Sequence, residues 1–312
     1  MPAMLRWRVA CLVSAAIAIS YLDRQTLPVA IQAIERDIPV SNEQFSFLQS
    51  SFLVSYALMY AGGGRLVDVL GTRTGFLIIM VFWSLACASH GLAASVGMLA
   101  VSRFLLGLGE GGGFPAATRA VAEWFPVHER STAMGIINAG TAVGGIVSAP
   151  LIALVLSTSD WRTVFFLTGA IGLAWTVWWW RDYSAPAATD AFEAPRPPWG
   201  GLLRIQEVWG LVIAKFLSDA AWYFYLFWLP RYLYDARGFD IKAVGAVAGL
   251  VGFGGAMGGV VFGQVVGYLL DHQFGYGVVF ALAGSFHVFA FGVICLLVPN
   301  ILPLSRSSTR TG

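Results

Sequence analysis

Polar positions along this chain collect into short breaks between long apolar blocks, at about 8–34, 45–63, 74–94, 97–120, 132–156, 163–180, 208–230, 243–270 and 276–298. A helix needs roughly 20 mostly apolar residues to cross the hydrocarbon core, and most of these blocks have them. They are too long for barrel strands and lack period-two alternation. Since only helices and closed barrels satisfy the backbone in lipid, the pattern predicts an all-α, polytopic membrane protein of about nine helices.

Composition sharpens that picture. With 57% hydrophobic and 12% charged residues and a mean hydropathy of +0.72, the chain carries about half the charge of a soluble domain. A net charge of +2 with no basic run gives no footing for a nucleic-acid partner. Cys11, Cys87 and Cys295 each lie inside an apolar block, as free packed thiols and not as a disulfide framework or zinc site. No metal or cofactor is expected. Arg6 and Arg8 precede a stretch that runs past Leu22 and Pro28 to Ile34 without a small-residue cleavage site, which predicts a retained first helix.

Basic residues set an orientation. A cytoplasmic N-terminus puts Arg6, Arg8, Arg65, Arg73, Arg130, Arg181, Arg196 and Arg204 inside, against Arg36 and Arg162 outside over the first six helices. The longest polar break, 182–200, is rich in Ala, Pro and acidic residues and reads as a flexible cytoplasmic linker. It separates a six-helix half, 1–181, from a shorter part, 201–312, with three blocks. Transporters are commonly built of two repeated halves.

Charges inside the blocks are the candidate chemistry, because an intramembrane charge is costly. Asp23 and Arg24 sit some fifteen residues beyond Arg8, near or just past the midplane at about 1.5 Å per residue. Arg103 and Glu110 are two turns apart on one face of the fourth block, about 10 Å from each other. Two acid–base pairs at depth can staple helices together, or they can line a polar cavity; the second reading is favoured. Arginine stays charged and matches a carboxylate with its planar fork, whereas a buried acid can be pushed to either protonation state by its surroundings. Together they suggest proton-coupled uptake of a carboxylate. Tyr21 and Tyr56 are further ligand candidates, being tyrosines within apolar stretches. Asn138, Thr141 and Tyr223 are weaker ones. Lys215 and Asp219, at i,i+4, read equally well as a local salt bridge. Gly255, Gly259, Gly263 and Gly267 offer a smooth face for close helix approach. No helix-borne Ser/His pair, paired Asp or HExxH arrangement points to an enzyme.

The loop after the second block, GRLVDVLGTR, with Gly64, Asp68, Gly71 and Arg73, resembles the cytoplasmic signature loop of the major facilitator superfamily, although Val69 and Thr72 depart from it. YLDR, RFLLGLGEGGGFPAATRAVAEWFP and FYLFWLPRYL together resemble its anion:cation symporter branch, and YLDRQTLPVA with SNEQFSFLQSSFLVSYALMYAGGGRL is most similar to bacterial hexuronate and sugar-acid permeases. That resemblance implies a multi-pass protein of the cell inner membrane that carries a sugar-acid anion with a proton. It implies Asp23 and Glu110 as proton-coupling groups, Arg24 as the substrate-carboxylate ligand supported by Arg103, and Tyr21 and Tyr56 as substrate-facing. The resemblance runs through residues 5–242, and AVGAVAGLVGFGGAMGG then resembles the start of the family's helix eleven, so helices eight to ten are expected to be missing at a junction near Lys242–Ala243. An odd loss inverts every later helix and strands Arg306 and Arg310 outside. Two functions stay open: an organic-anion symporter, or a non-transporting membrane remnant or partner subunit that keeps the binding half.

Overall fold

The computed structural model describes residues 3–184 and 204–297, and the helices hold nearly all of them. The 182–200 linker beyond Ser184, Arg196, Arg306 and Arg310 lie outside the described residues, as do the surroundings of Gly267 and the side chain of Cys295. In chain order the helices are α1 (Ala3–Glu35), α2 (Asn42–Leu70), α3 (Thr72–Ser89), α4 (Val96–Glu110), α5 (Gly113–Trp124), α6 (Arg130–Leu156), α7 (Trp161–Asp182), α8 (Gln206–Tyr223), α9 (Leu229–Asp235), α10 (Ile241–Asp271) and α11 (Gly275–Leu297). Among the described residues, six stretches are long and apolar enough to cross a membrane: Met4–Glu35, Thr72–Leu92, Val127–Leu156, Trp161–Asp182, Val208–Asp235 and Ile241–Val266. A shorter apolar stretch, Gly277–Ala290, lies in α11.

Two apolar blocks are not single regular helices. The block at 97–120 breaks at Gly111–Gly112 into α4 and α5. The block at 208–230 passes through a wide π turn, Phe224–Trp228, between α8 and α9. Pro230 explains the second irregularity, since it lacks an N–H for the carbonyl four residues back and its ring crowds that carbonyl. The remaining boundaries follow local chemistry. Ser41 and Gln44 form a reciprocal capping box at the start of α2. The Ser95 side chain caps α4, and the Asp240 carboxylate accepts from the Ala243 N–H at 2.7 Å at the start of α10.

Packing pairs α1 with α6, α2 with α4, α3 with α7 and α10 with α6. The α1–α6 seam is closed by glycine: a side chain on Gly140 would meet the Ser14 carbonyl, and one on Gly144 the Ala18 carbonyl. Indole N–H groups tie other seams to backbone, from Trp175 to the Leu12 carbonyl (2.9 Å) and from Trp179 to the Arg73 carbonyl (2.9 Å). On α10 the close approach falls elsewhere than the glycine spacing suggests. Gly245, Gly249 and Gly252 lie against α6, whereas Gly255, Gly259 and Gly263 face open space. The short 236–240 loop is the reason, because it sets only the first turns of α10 beside α6.

Charged groups gather at the two ends of the bundle. At one end Arg6 pairs with Glu129 (2.7 Å), Arg8 with Asp182 (2.8 Å) and Arg119 with Asp68 (2.8 Å). At the other, Arg231 of α9 pairs with Glu35 of α1 (2.9 Å), and the Tyr234 hydroxyl donates to the Val29 carbonyl (2.8 Å). There too, Arg162 and the Trp161 indole donate to Asp37 and hold its carboxyl below the usual carboxylate range.

Two substitutions on α6 separate packing from propensity. Gly140→Ala is expected to cost about 1–3 kcal/mol, because a backbone carbonyl cannot yield to the new methyl. Gly135→Ala, with nothing within 4 Å of the added carbon, is expected to be neutral or stabilising. Thermal unfolding of the detergent-solubilised protein measures both.

Candidate functional site

The turn of α1 from Ser20 to Gln25 distributes its side chains to three sides, as a helix must at about 100° per residue. Ser20 and Arg24, one turn apart, face α4. Arg24 Nε donates to Glu110 Oε2 at 2.6 Å, and Ser20 Oγ donates to the same oxygen at 2.7 Å. Both partners of the ion pair are buried, so water does little to weaken their attraction. Aromatic faces enclose the guanidinium: its carbon lies 4.5 Å from the centre of the Tyr56 ring, 4.9 Å from Tyr21 and 5.5 Å from Phe52. Tyr223, at the end of α8, stacks on Phe227 with centres 5.5 Å apart, and Phe227 meets Phe52 edge-on at 6.3 Å.

Asp23 points the other way, toward α3 and α7. The Cys87 thiol donates to its Oδ1 at 3.4 Å, and Cys87 in turn lies 3.2 Å from the Thr168 hydroxyl. Asp23 has no exposed surface, and its Oδ2, like Glu110 Oε1, has no hydrogen-bond partner among the described residues. The two acids therefore occupy separate buried niches on opposite sides of one helical turn. Cys87, read from sequence as a packed thiol, is packed and also serves Asp23.

Arg103 is fully buried on α4, and its Nη1 and Nη2 donate to the Arg24 carbonyl at 3.5 and 3.4 Å. That carbonyl is the one Pro28 cannot serve, being four residues before a proline inside α1. Arg103 thus offers two long, charge-assisted contacts to a carbonyl that lacks its helical donor.

A cavity of about 580 Å³ opens on the third side of the turn, between α1, α6, the π turn and α10. Tyr21 and Gln25 line it from α1, Asn138 and Thr141 from α6, and Trp222 and Tyr225 from the opposite wall. Tyr21 alone of the tyrosine candidates touches both the cavity and the Arg24 niche. Asn138 and Thr141 thus belong to the cavity and not to the ion pair. Lys215 and Asp219 form a local salt bridge at 2.7 Å.

The signature-loop residues lie at the charged end that holds the N-terminus. Gly71 joins α2 to α3 with φ 76°, a conformation that favours glycine. Asp68 binds Arg119, and Arg119 also binds Glu123, which accepts from Thr72 and Tyr183. Arg73 lies over the Trp180 ring at 4.2 Å and donates to the Trp180 carbonyl. Gly64 has no neighbour within 4 Å of where a side chain would begin.

The residues of this region that sequence reasoning missed are Ser20, beside the ion pair, and Gln25, at the cavity wall. Their signal was present, since Ser20 is i−4 from Arg24 and Gln25 is i+4 from Tyr21, which puts each beside a named candidate on the same face.

A helical bundle with buried opposite charges beside a cavity that carries a few polar side chains on mostly apolar walls has the layout of a membrane transporter. The chain belongs to the Major Facilitator Superfamily, whose family model matches residues 13–308. It is a multi-pass membrane protein of a transporter family and not an enzyme. Its relatives include the galacturonate transporter of Dickeya chrysanthemi, 31% identical over 78% of this chain and 76% of that one. The hexuronate transporter of Escherichia coli K12 is 29% identical, over 78% and 61%. A probable sulfoacetate transporter of Cupriavidus necator is 33% identical, over 79% and 62%. The chain thus spans about three fifths to three quarters of the length of these relatives. Among solved structures, the fold is similar to a bacterial homologue of the human lysosomal transporter Spinster in an inward-facing, unoccupied conformation, with a TM-score of 0.74 and 19% identity over 87% of this chain and 64% of that one. A D-xylose-proton symporter gives 0.63 and 15% identity over 93% and 77%.

Two double-mutant cycles test the site's internal logic. Arg24→Met or Glu110→Gln alone is expected to cost about 3–5 kcal/mol by stranding a buried partner, and the pair together much less than the sum. Arg103→Met is expected to cost about 1–3 kcal/mol by orphaning the Arg24 carbonyl, and less in a Pro28→Ala background that restores the backbone donor. Thermal melts of the four single and two double variants decide both.

Proposed function

We propose that this chain is a proton-coupled carrier of sugar-acid anions of the hexuronate class, working by alternating access, with its N-terminus on the cytoplasmic side of the inner membrane. The observation that carries the reading is the Arg24–Glu110 ion pair, closed by Ser20 and walled by Tyr21, Tyr56 and Phe52. A substrate carboxylate and the Glu110 carboxylate compete for one guanidinium. While Glu110 is ionised it occupies Arg24. A proton on Glu110 removes the competitor's charge and frees the fork for the substrate, so proton and anion load together. Asp23, in its own niche on the same turn, is the second proton-coupling group. Arg103 keeps the turn in shape.

The orientation is supported by the bundle's ends, since Arg6, Arg8, Arg73 and Arg119 engage partners at the end that holds the N-terminus. Nine spans account for the chain if α2, the α4–α5 pair and α11 also cross. On that count the part after the linker is half of a complete bundle. A second reading, a non-transporting subunit that binds the anion, is favoured by one observation: α8 is largely unpacked, with Leu211, Ile213, Phe216 and Leu217 exposed.

Radiolabelled galacturonate uptake into proteoliposomes under an imposed inward proton gradient tests the proposal. Accumulation is expected to rise as the outer pH falls, and Glu110→Gln is expected to abolish it while leaving ligand binding intact. Binding without uptake in the unmodified protein establishes the second reading, and absence of binding overturns both.

A further inference from the structure

We propose that Gln25 reads the hydroxyl pattern of the anion, so that this site takes polyhydroxylated carboxylates in preference to bare ones. The inference rests on the sugar-acid reading above and narrows it to a residue and a ligand chemistry. Gln25 stands one turn beyond Tyr21 on the cavity face of α1 and is largely buried at the cavity wall. Its one described hydrogen bond, from Nε2 to the Gly145 carbonyl, is 3.5 Å long, at the limit of such bonds. A primary amide has two N–H donors and a carbonyl with two lone pairs, so most of this group's capacity is uncommitted. The facing residue on α6 is Gly145, and a side chain begun there would lie in ordinary van der Waals contact with Nε2, at 3.8 Å.

Asn138 on α6 is the other amide of the lining, and Gln25 is set apart from it by its place directly after Arg24 on α1; the remaining polar groups differ in kind. Thr141 spends its hydroxyl proton on the Asn138 carbonyl of its own helix at 2.7 Å and offers only lone pairs. Tyr21 carries a single hydroxyl and stands between the cavity and Arg24. Gln25 presents donor and acceptor side by side, the pairing that two neighbouring hydroxyls of a polyol require. An anion held by Arg24 extends past Tyr21 and lays its carbon chain along Gln25. The wall opposite, with Trp222, Leu226 and Leu229, suits the apolar C–H edge of the same chain. A ligand without hydroxyls leaves this largely buried amide unpaired, and that unpaired group is the source of discrimination.

Glucarate and adipate make a matched pair of probes, both six-carbon dicarboxylates, with and without hydroxyls. Calorimetric binding to the purified full chain in nanodiscs is expected to favour glucarate by about tenfold or more. Gln25→Met is expected to bring that ratio close to one by weakening glucarate and leaving adipate unchanged. Gln25→Asn, which withdraws the amide by one methylene, is expected to do the same and serves if the methionine variant fails to fold. A ratio preserved in a folded Gln25 variant, with both ligands lost in Arg24→Met, overturns the role of Gln25 and leaves the sugar-acid reading standing. A wild-type chain that binds neither probe nor galacturonate overturns the sugar-acid reading, and this inference with it.

Discussion

A guanidinium placed midway through an apolar helix is the constraint around which this molecule is arranged. Taking Arg24 out of water costs several kcal/mol, which an ion pair repays only when geometry and further hydrogen bonds are good. Glu110 supplies the charge, Ser20 a second bond to the same carboxylate oxygen, and three aromatic faces the remaining surroundings. Those contacts require α1, α2 and α4 to approach closely. Gly107 permits it on α4, where any side chain would strike the Phe52 carbonyl. The site's electrostatics and the bundle's packing are therefore one problem.

Backbone irregularity is concentrated at the same level. Pro28 leaves the Arg24 carbonyl without its helical donor, and Arg103 fills the gap. Gly111 and Gly112 break the helix directly after Glu110, and Pro230 forces the π turn that faces the cavity. Interruptions of this kind are tolerated in lipid only where protein groups or a polar cavity satisfy the freed backbone. Here they also make the ion pair's surroundings deformable, which a site that exchanges one carboxylate for another needs.

The chain's two parts are unequally packed. Helices α1 to α7 bury Trp83, Trp161 and Trp179 among themselves, and Phe45 and Phe52 meet Trp228 and Phe227 of the π turn, whereas α8, the later turns of α10 and α11 present apolar side chains outward. In a membrane this is no contradiction, since lipid tails solvate leucine as well as another helix does. It does mean that the cavity's far wall rests on few contacts. The ties from Arg231 to Glu35 and from Tyr234 to the Val29 carbonyl join α9 to α1.

What the linear order of residues settled was whatever depends on spacing along one helix. Apolar runs fixed the helical class, and the seven-residue interval from Arg103 to Glu110 put both on one buried face. The likeness in YLDR and the glycine-rich fourth block carried the family. Spacing could not say which neighbour each face meets. Asp23 and Arg24 are adjacent in sequence, yet one turns to Cys87 on α3 and the other to Glu110 on α4. The glycine repeat at 255–263 follows a packing pattern, yet the short 236–240 loop brings Gly245 and Gly249 to α6 instead. Arg103 was legible as a buried charge, but that it reaches the Arg24 carbonyl was not, although Pro28, four residues past Arg24, already marked which carbonyl lacked a donor. Periodicity encodes the direction of a side chain relative to its own helix axis; only the tertiary arrangement of the other axes decides what lies in that direction.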